Sequence, residues 1–129
     1  MQISIKTSAR IQMIDITKQV RAALKQSDIK NGLAHIFSMH TTGAITINEG
    51  ADPAVETDIL NFINKLAPVS NSYKHMEGNS DAHIKVSLIG PSETIAIENG
   101  ELILGTWQSI FFCEFDGPRN RRINVQLIS

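Results

Sequence analysis

The sequence predicts an α+β protein with a mainly antiparallel, β-sandwich-like core and two helices. Two observations carry that expectation. Seven or eight short segments are patterned as strands, and only two repeat apolar residues at helical spacing. A third observation concerns organisation: no repeat, low-complexity run or linker divides the 129 residues, so residues 1–129 read as one domain.

The elements follow in order. Residues 2–7 (QISIKT) alternate polar and apolar, placing Ile3 and Ile5 inward, and IQMI at 11–14 forms a second short strand. Ile16, Val20, Ala23 and Leu24 share one helical face over 16–26, with Asp15 or Thr17 as the cap. Asn31-Gly32 marks a turn, LAHIFSM at 33–39 a mostly buried strand, and AITIN at 44–48 an alternating one. Asp52-Pro53 is a helix start, cap then first helical residue, and Val55, Ile59, Leu60, Ile63 and Leu66 extend one stripe over 53–66. Residues 69–82 are a long polar loop, of the kind that often carries function. HIKVSLIG at 83–90 and SETIAIENG at 92–100 read as strands, 101–115 as one long or broken strand bent at Gly105, and 122–128 as the last strand.

Composition excludes several functions. A hydrophobic fraction of 42% and a charged fraction of 19% describe a globular chain. Twelve Lys+Arg against 13 Asp+Glu give a net charge of −1, which provides no global attraction for nucleic acid or an anionic membrane. No apolar run has the length of a signal peptide or membrane span, so a cytoplasmic setting is expected. The single cysteine, Cys113, excludes an intrachain disulfide and a Cys-rich zinc site; flanked by apolar residues, it reads as a buried structural thiol.

Chemistry-bearing residues fall in five groups. His40 ends a strand, His75 lies in the long loop and His83 follows it, where imidazoles can bind a metal or move protons. Their spacing matches no compact zinc motif, and His35, within an apolar run, reads as a sheet-face or core residue. INEGADP at 47–53 places Asn48 and Glu49 before a helix start, with Glu49 either a base or a solvated turn residue. HMEGNSDAH at 75–83 gathers His75, Glu77, Asn79, Asp81 and His83 within nine residues. GTWQ at 105–108 offers Trp107 as a pocket wall or, more commonly for a lone Trp, a core or interface residue, and Gln108 as a polar group needing a partner if buried. Arg119, Arg121 and Arg122 can clamp a phosphate or carboxylate, or guard a sheet edge. There is no Gly-rich phosphate loop, nucleophile elbow or dinucleotide fingerprint.

Three blocks together resemble the YjbQ family: HTTGAITINEGADPAVETD at 40–58, YKHMEGNSDAHIK at 73–85 and GELILGTWQSIFFCEFDGPRNRRI at 100–123. These are small bacterial and archaeal proteins, largely uncharacterised and also called secondary thiamine-phosphate synthase enzymes. The resemblance spans nearly the whole chain and is least sharp over the first 30 residues. It implies an α+β YjbQ-like fold, a homotrimer, and a shared pocket in which His40, His75 and His83 can hold a metal ion; the all-imidazole set suits Zn²⁺, and a leaving diphosphate suits Mg²⁺. Asn48, Glu49, Glu77, Asn79, Lys85, Gln108 and Arg119 match other motif positions. Among these, Glu49, Glu77, Lys85 and Arg119 are the catalytic candidates, and Asn48, Asn79 and Gln108 the substrate-binding ones.

The implied reaction joins hydroxymethylpyrimidine pyrophosphate to thiazole phosphate. It needs a cation beside the leaving diphosphate, for which Lys85 and Arg119 are candidates, with Glu49 and Glu77 available to hold a metal. Two alternatives remain open: metal-assisted hydrolysis of a small molecule, with Glu49 or Glu77 as base, and a non-enzymatic trimeric module that binds a metal or small anion. The expected partners are a small molecule and further copies of the chain, not nucleic acid or membrane.

Overall fold

A computed structural model describes residues 1–129. The chain runs β1 (Gln2–Lys6), β2 (Gln12–Asp15), α1 (Thr17–Ser27), β3 (Gly32–Ser38), β4 (Gly43–Glu49), α2 (Pro53–Leu66), α3 (Ser80–Ile89), β5 (Ser92–Glu98), β6 (Glu101–Leu102), β7 (Gln108–Glu114) and β8 (Asn120–Ile128). Every strand pairing is antiparallel. A five-stranded sheet has the order β1-β8-β3-β5-β6, and a three-stranded sheet the order β2-β7-β4. The α+β class and the antiparallel sandwich are those the sequence predicts.

The core lies between the sheets. Inward positions of β1, β3, β5 and β8 (Ile5, Ile36, Ile95, Ile123, Val125) meet Ile45 of β4 and Ile110 and Phe112 of β7. Ile16 and the α1 stripe of Val20, Ala23 and Leu24 close one end. The three-stranded sheet is covered on its other face as well: Met13, Ala44, Phe111 and Cys113 pack with Phe115, with Ile59, Leu60 and Ile63 of α2, and with Ala82 and Val86 of α3. Burial on both faces explains why β7 reads as a continuous apolar run rather than an alternating one. Gly43 is required at the head of β4, because a Cβ there would fall on the Phe112 ring.

Helix α2 starts as expected: the Asp52 carboxylate accepts the Ala54 N–H at 2.9 Å with Pro53 first in the helix. Ahead of α1, the Asp15 carboxylate accepts the Thr17 N–H at 2.9 Å. The expected strand at 83–90 and the loop expected to run to 82 are corrected: Ser80–Ile89 form α3, a third helix where two were expected. Ile84, Val86 and Leu88 do alternate, but Ile84 and Leu88 face outward as i, i+4 neighbours on a helix. The buried positions include a charged pair, Asp81 and Lys85, joined at 2.7 Å across one helical turn. A helix that buries two charged residues lacks the apolar stripe by which helices are recognised.

Candidate active site

One end of the sandwich gathers four segments. The turn before β4 brings His40, Thr41 and Thr42, and the turn after β7 brings Asp116. The start of β8 brings Arg119 and Arg121, and the α2–α3 connection brings His75, Glu77 and Asn79 ahead of His83 on α3. Together they line a polar pocket of about 430 Å³. An apolar shelf of about 510 Å³, walled by Phe37, Met39, Val86 and Pro91, shares His40, Thr41 and His83 with it.

The pocket floor is a buried charge network. Arg121 and Glu114 form a bidentate ion pair through Nε and Nη2, and Arg121 Nη2 also donates to Thr42 Oγ1 at 2.9 Å. Thr7 donates its hydroxyl to Glu114 Oε1 at 2.8 Å. Burial pushes the Glu114 carboxyl up, but hydrogen bonds from Arg121 and Thr7 outweigh it, and the net is below the ordinary carboxylate range. Glu114, Thr42 and Asp116 escaped the sequence reading because nothing local distinguishes them. The arginine cluster does not guard an edge: β8 lies between β1 and β3.

Asn79 occupies the N-cap position of α3 but makes no capping bond. Its amide nitrogen donates to Asp116 Oδ2 at 2.8 Å, leaving Oδ1 buried with no partner. An N-cap asparagine diverted in this way forgoes about 1 kcal/mol of helix stabilisation. Arg119 donates from Nε to the Asp116 carbonyl and from Nη2 to Asp116 Oδ2, at 2.8 and 3.1 Å, while remaining exposed.

The three expected histidines reach the same pocket in different states. The His75 and His83 rings meet edge to face with centroids 5.3 Å apart, and Glu77 lies 3.9 Å from His75 Nε2. His40 Nε2 accepts the Arg122 backbone N–H at 2.9 Å. Burial, then the Arg121 charge, hold the His40 pKa below its ordinary value. No three His, Cys, Asp or Glu side chains stand at ligand distances from a common point. The three-imidazole set therefore does not fit a metal in this arrangement; His75 and His83 remain as a candidate pair.

Four other expected residues are not brought to the pocket. Lys85 is 0% exposed, and its ammonium is bonded to Asp81, which Arg10 also grips at 3.0 and 3.2 Å. Buried in that pair, Lys85 is no free cation for a substrate. Asn48 and Glu49 lie at the far end of β4, about 20 Å from Thr42 at 3.3 Å per strand residue. Gln108, paired with Glu49, closes the turn before β7 by accepting the Gly105 N–H at 2.7 Å. Trp107 is exposed in that turn, away from the pocket. His35 is a sheet-face residue bonded to Thr94 at 3.0 Å, as its surroundings in the sequence imply.

The fold and the pocket define a class first: a small α+β sandwich protein with a histidine- and arginine-lined cleft at one end. Comparison with known proteins then places the chain in a family. The family described as UPF0047 protein YjbQ-like matches residues 1–129, and the chain belongs to it. A UPF0047 protein of Methanocaldococcus jannaschii is 53% identical over 96% of this chain and 90% of its own length. The UPF0047 protein YugU of Bacillus subtilis is 49% identical, over 98% and 96%. Among solved structures, an uncharacterised conserved protein of the YjbQ/UPF0047 family from Clostridium acetobutylicum superposes with a TM-score of 0.98 at 54% identity, covering 99% of both chains. A YbjQ-like protein of unknown function from Sulfolobus solfataricus gives 0.94 at 37% identity, covering 98% and 93%.

Proposed function

We propose that the chain is an enzyme that acts on a small molecule combining a flat heterocycle with a phosphoryl group, and that its reaction is thiamine-phosphate synthesis. The observation that carries this is the junction of two unlike surfaces. A polar pocket with Arg119 and three imidazoles opens directly onto an apolar shelf of Phe37, Met39, Val86 and Pro91. Such a pairing suits a ligand with one apolar face and one charged end.

In the proposed step the thiazole nitrogen attacks the pyrimidine methylene. A C–N bond forms, the C–O bond to diphosphate breaks, and the diphosphate leaves with the electron pair. Arg119 is the exposed cation able to meet that developing charge, its guanidinium held by Asp116. Asn79 Oδ1, buried and unpartnered, would accept a hydrogen bond from a donor such as the pyrimidine amino group. The same proposal takes the working unit as a cytoplasmic homotrimer. Support comes from exposed apolar side chains on the outer face of the five-stranded sheet, Leu33 and its cross-strand neighbour Ile128.

The test is direct. Purified protein is incubated with hydroxymethylpyrimidine pyrophosphate, thiazole phosphate and Mg²⁺, and thiamine phosphate is measured. Product is expected, with Arg119→Ala lowering kcat by about 10²-fold or more, the scale for removing a fixed charge-stabilising donor. No product above a heat-inactivated control refutes the reaction. Light scattering giving one chain mass at micromolar concentration refutes the trimer.

A further inference from the structure

We propose that His40 is a fixed hydrogen-bond donor rather than a metal ligand, and that its Nδ1–H and Arg121 Nη1 together receive an oxyanion, a phosphoryl or carboxylate oxygen of the ligand. The inference rests on the pocket being a ligand site, not on the synthase reaction.

The hydrogen-bond pattern dictates the tautomer. Nε2 accepts the Arg122 N–H at 2.9 Å, so it carries no proton. The neutral ring must then carry its hydrogen on Nδ1. Nδ1 makes no bond within the protein, and His40 lines both the polar pocket and the apolar shelf. A metal-bound histidine normally donates its second ring N–H to an acceptor. Here the second nitrogen faces a donor. Ligation through Nδ1 would engage both lone pairs of one ring, which only an imidazolate provides.

Arg121 supplies the partner. It is 2% exposed, with Nε and Nη2 committed to Glu114 and Thr42, while Nη1 has no protein acceptor in a residue that lines the pocket. Thr42 follows His40 by two residues and Arg122 follows Arg121, so one set of bonds between the two segments orients both donors. A nearly buried guanidinium pinned through Nε and Nη2, with Nη1 left without a protein acceptor, is preorganised for an anionic oxygen.

The test uses the full chain with ¹⁵N-labelled histidine. Long-range ¹H–¹⁵N spectra, with His40 assigned through His40→Asn, should report a protonated Nδ1 and a bare Nε2, with or without zinc. A protonated Nε2 overturns the proposal, and this measurement needs no variant to be functional. Calorimetry with inorganic phosphate, acetate and zinc as separate probes supplies the second arm. His40→Ala should weaken phosphate or acetate binding about tenfold or more, the scale of one hydrogen bond to a charged group, and His40→Asn, which keeps an N–H near the same place, by less than about threefold. Whichever anion binds identifies the source of the oxygen. Zinc affinity should be unchanged in His40→Ala and weakened in His83→Ala. No affinity for either anion, equal anion affinity in His40→Ala, or equal loss of zinc in the two alanine variants overturns the proposal. Oxyanion binding through His40 without any synthesis of thiamine phosphate would refute the reaction and leave the receptor standing.

Discussion

Replacing Asp81 with asparagine removes one charge and almost no volume, and the structure sets its cost. Asp81 Oδ2 receives the Lys85 ammonium at 2.7 Å, and both carboxylate oxygens receive Arg10 at 3.0 and 3.2 Å. Arg10 is about one-third exposed and can return to water, but Lys85 is 0% exposed and cannot. The variant therefore strands a buried ammonium beside the Phe115 ring, whose centroid lies 5.8 Å from Nζ. Breaking a buried pair on one side costs about 3–5 kcal/mol. At roughly 3–5 °C per kcal/mol for a domain of this size, Tm should fall by about 10–20 °C. Urea unfolding followed by circular dichroism, at fixed protein concentration, measures the loss. The double variant Asp81→Asn, Lys85→Met replaces the stranded charge by an apolar side chain of similar length and should recover to within about 1 kcal/mol of the parent. A single-variant loss below about 1 kcal/mol would refute the reasoning, as would a double variant no better than the single.

Three further predictions follow from the same geometry. The Asp81 and Glu114 carboxyls are pushed up by burial but pulled further down by their arginine, lysine and threonine partners, so both lie below their unfolded values. Their contribution is full above about pH 4, the unfolded carboxylate range, and is lost as pH falls through the lower folded values, so Tm should decline on acidification below about pH 4; a Tm that rises between pH 4 and 3 contradicts this. Burial pushes the Cys113 thiol up to about 12, so it should not react with a thiol reagent in the native protein at pH 8 and should react with one equivalent in denaturant. Asn79→Ser removes the unpaired buried oxygen and the bond to Asp116 and restores a good capping residue; stability should stay within about 1 kcal/mol while turnover in the pocket falls, read by thermal unfolding and product assay.

The sequence alone determined those parts of the fold that short-range chemistry controls. Asp52 before Pro53 and a stripe ending at Leu66 mark α2 to the residue, because a cap, a fixed φ and a 3.6-residue period act within a few turns. Alternation marks β1, β4 and β8, because the pleat turns successive side chains to opposite faces. The segments that build the pocket were legible too, since His40, His75, Asn79, His83 and Arg119 stood out as reactive types at element ends. What each residue does was decided only by tertiary contacts. Lys85 looks like a free cation until Asp81 and Arg10, the latter far away in the chain, meet it in the interior. Glu49 and His40 are neighbours in one motif, yet an extended strand holds them at opposite ends of a sheet. His40 reads in the sequence as one reactive imidazole among several; that its Nε2 accepts the Arg122 N–H, from a strand 82 residues on, shows only in the fold. Local pattern reports the periodicity of a segment. Which partner satisfies a charge or a lone pair depends on segments distant in sequence, brought together only when the sheets close.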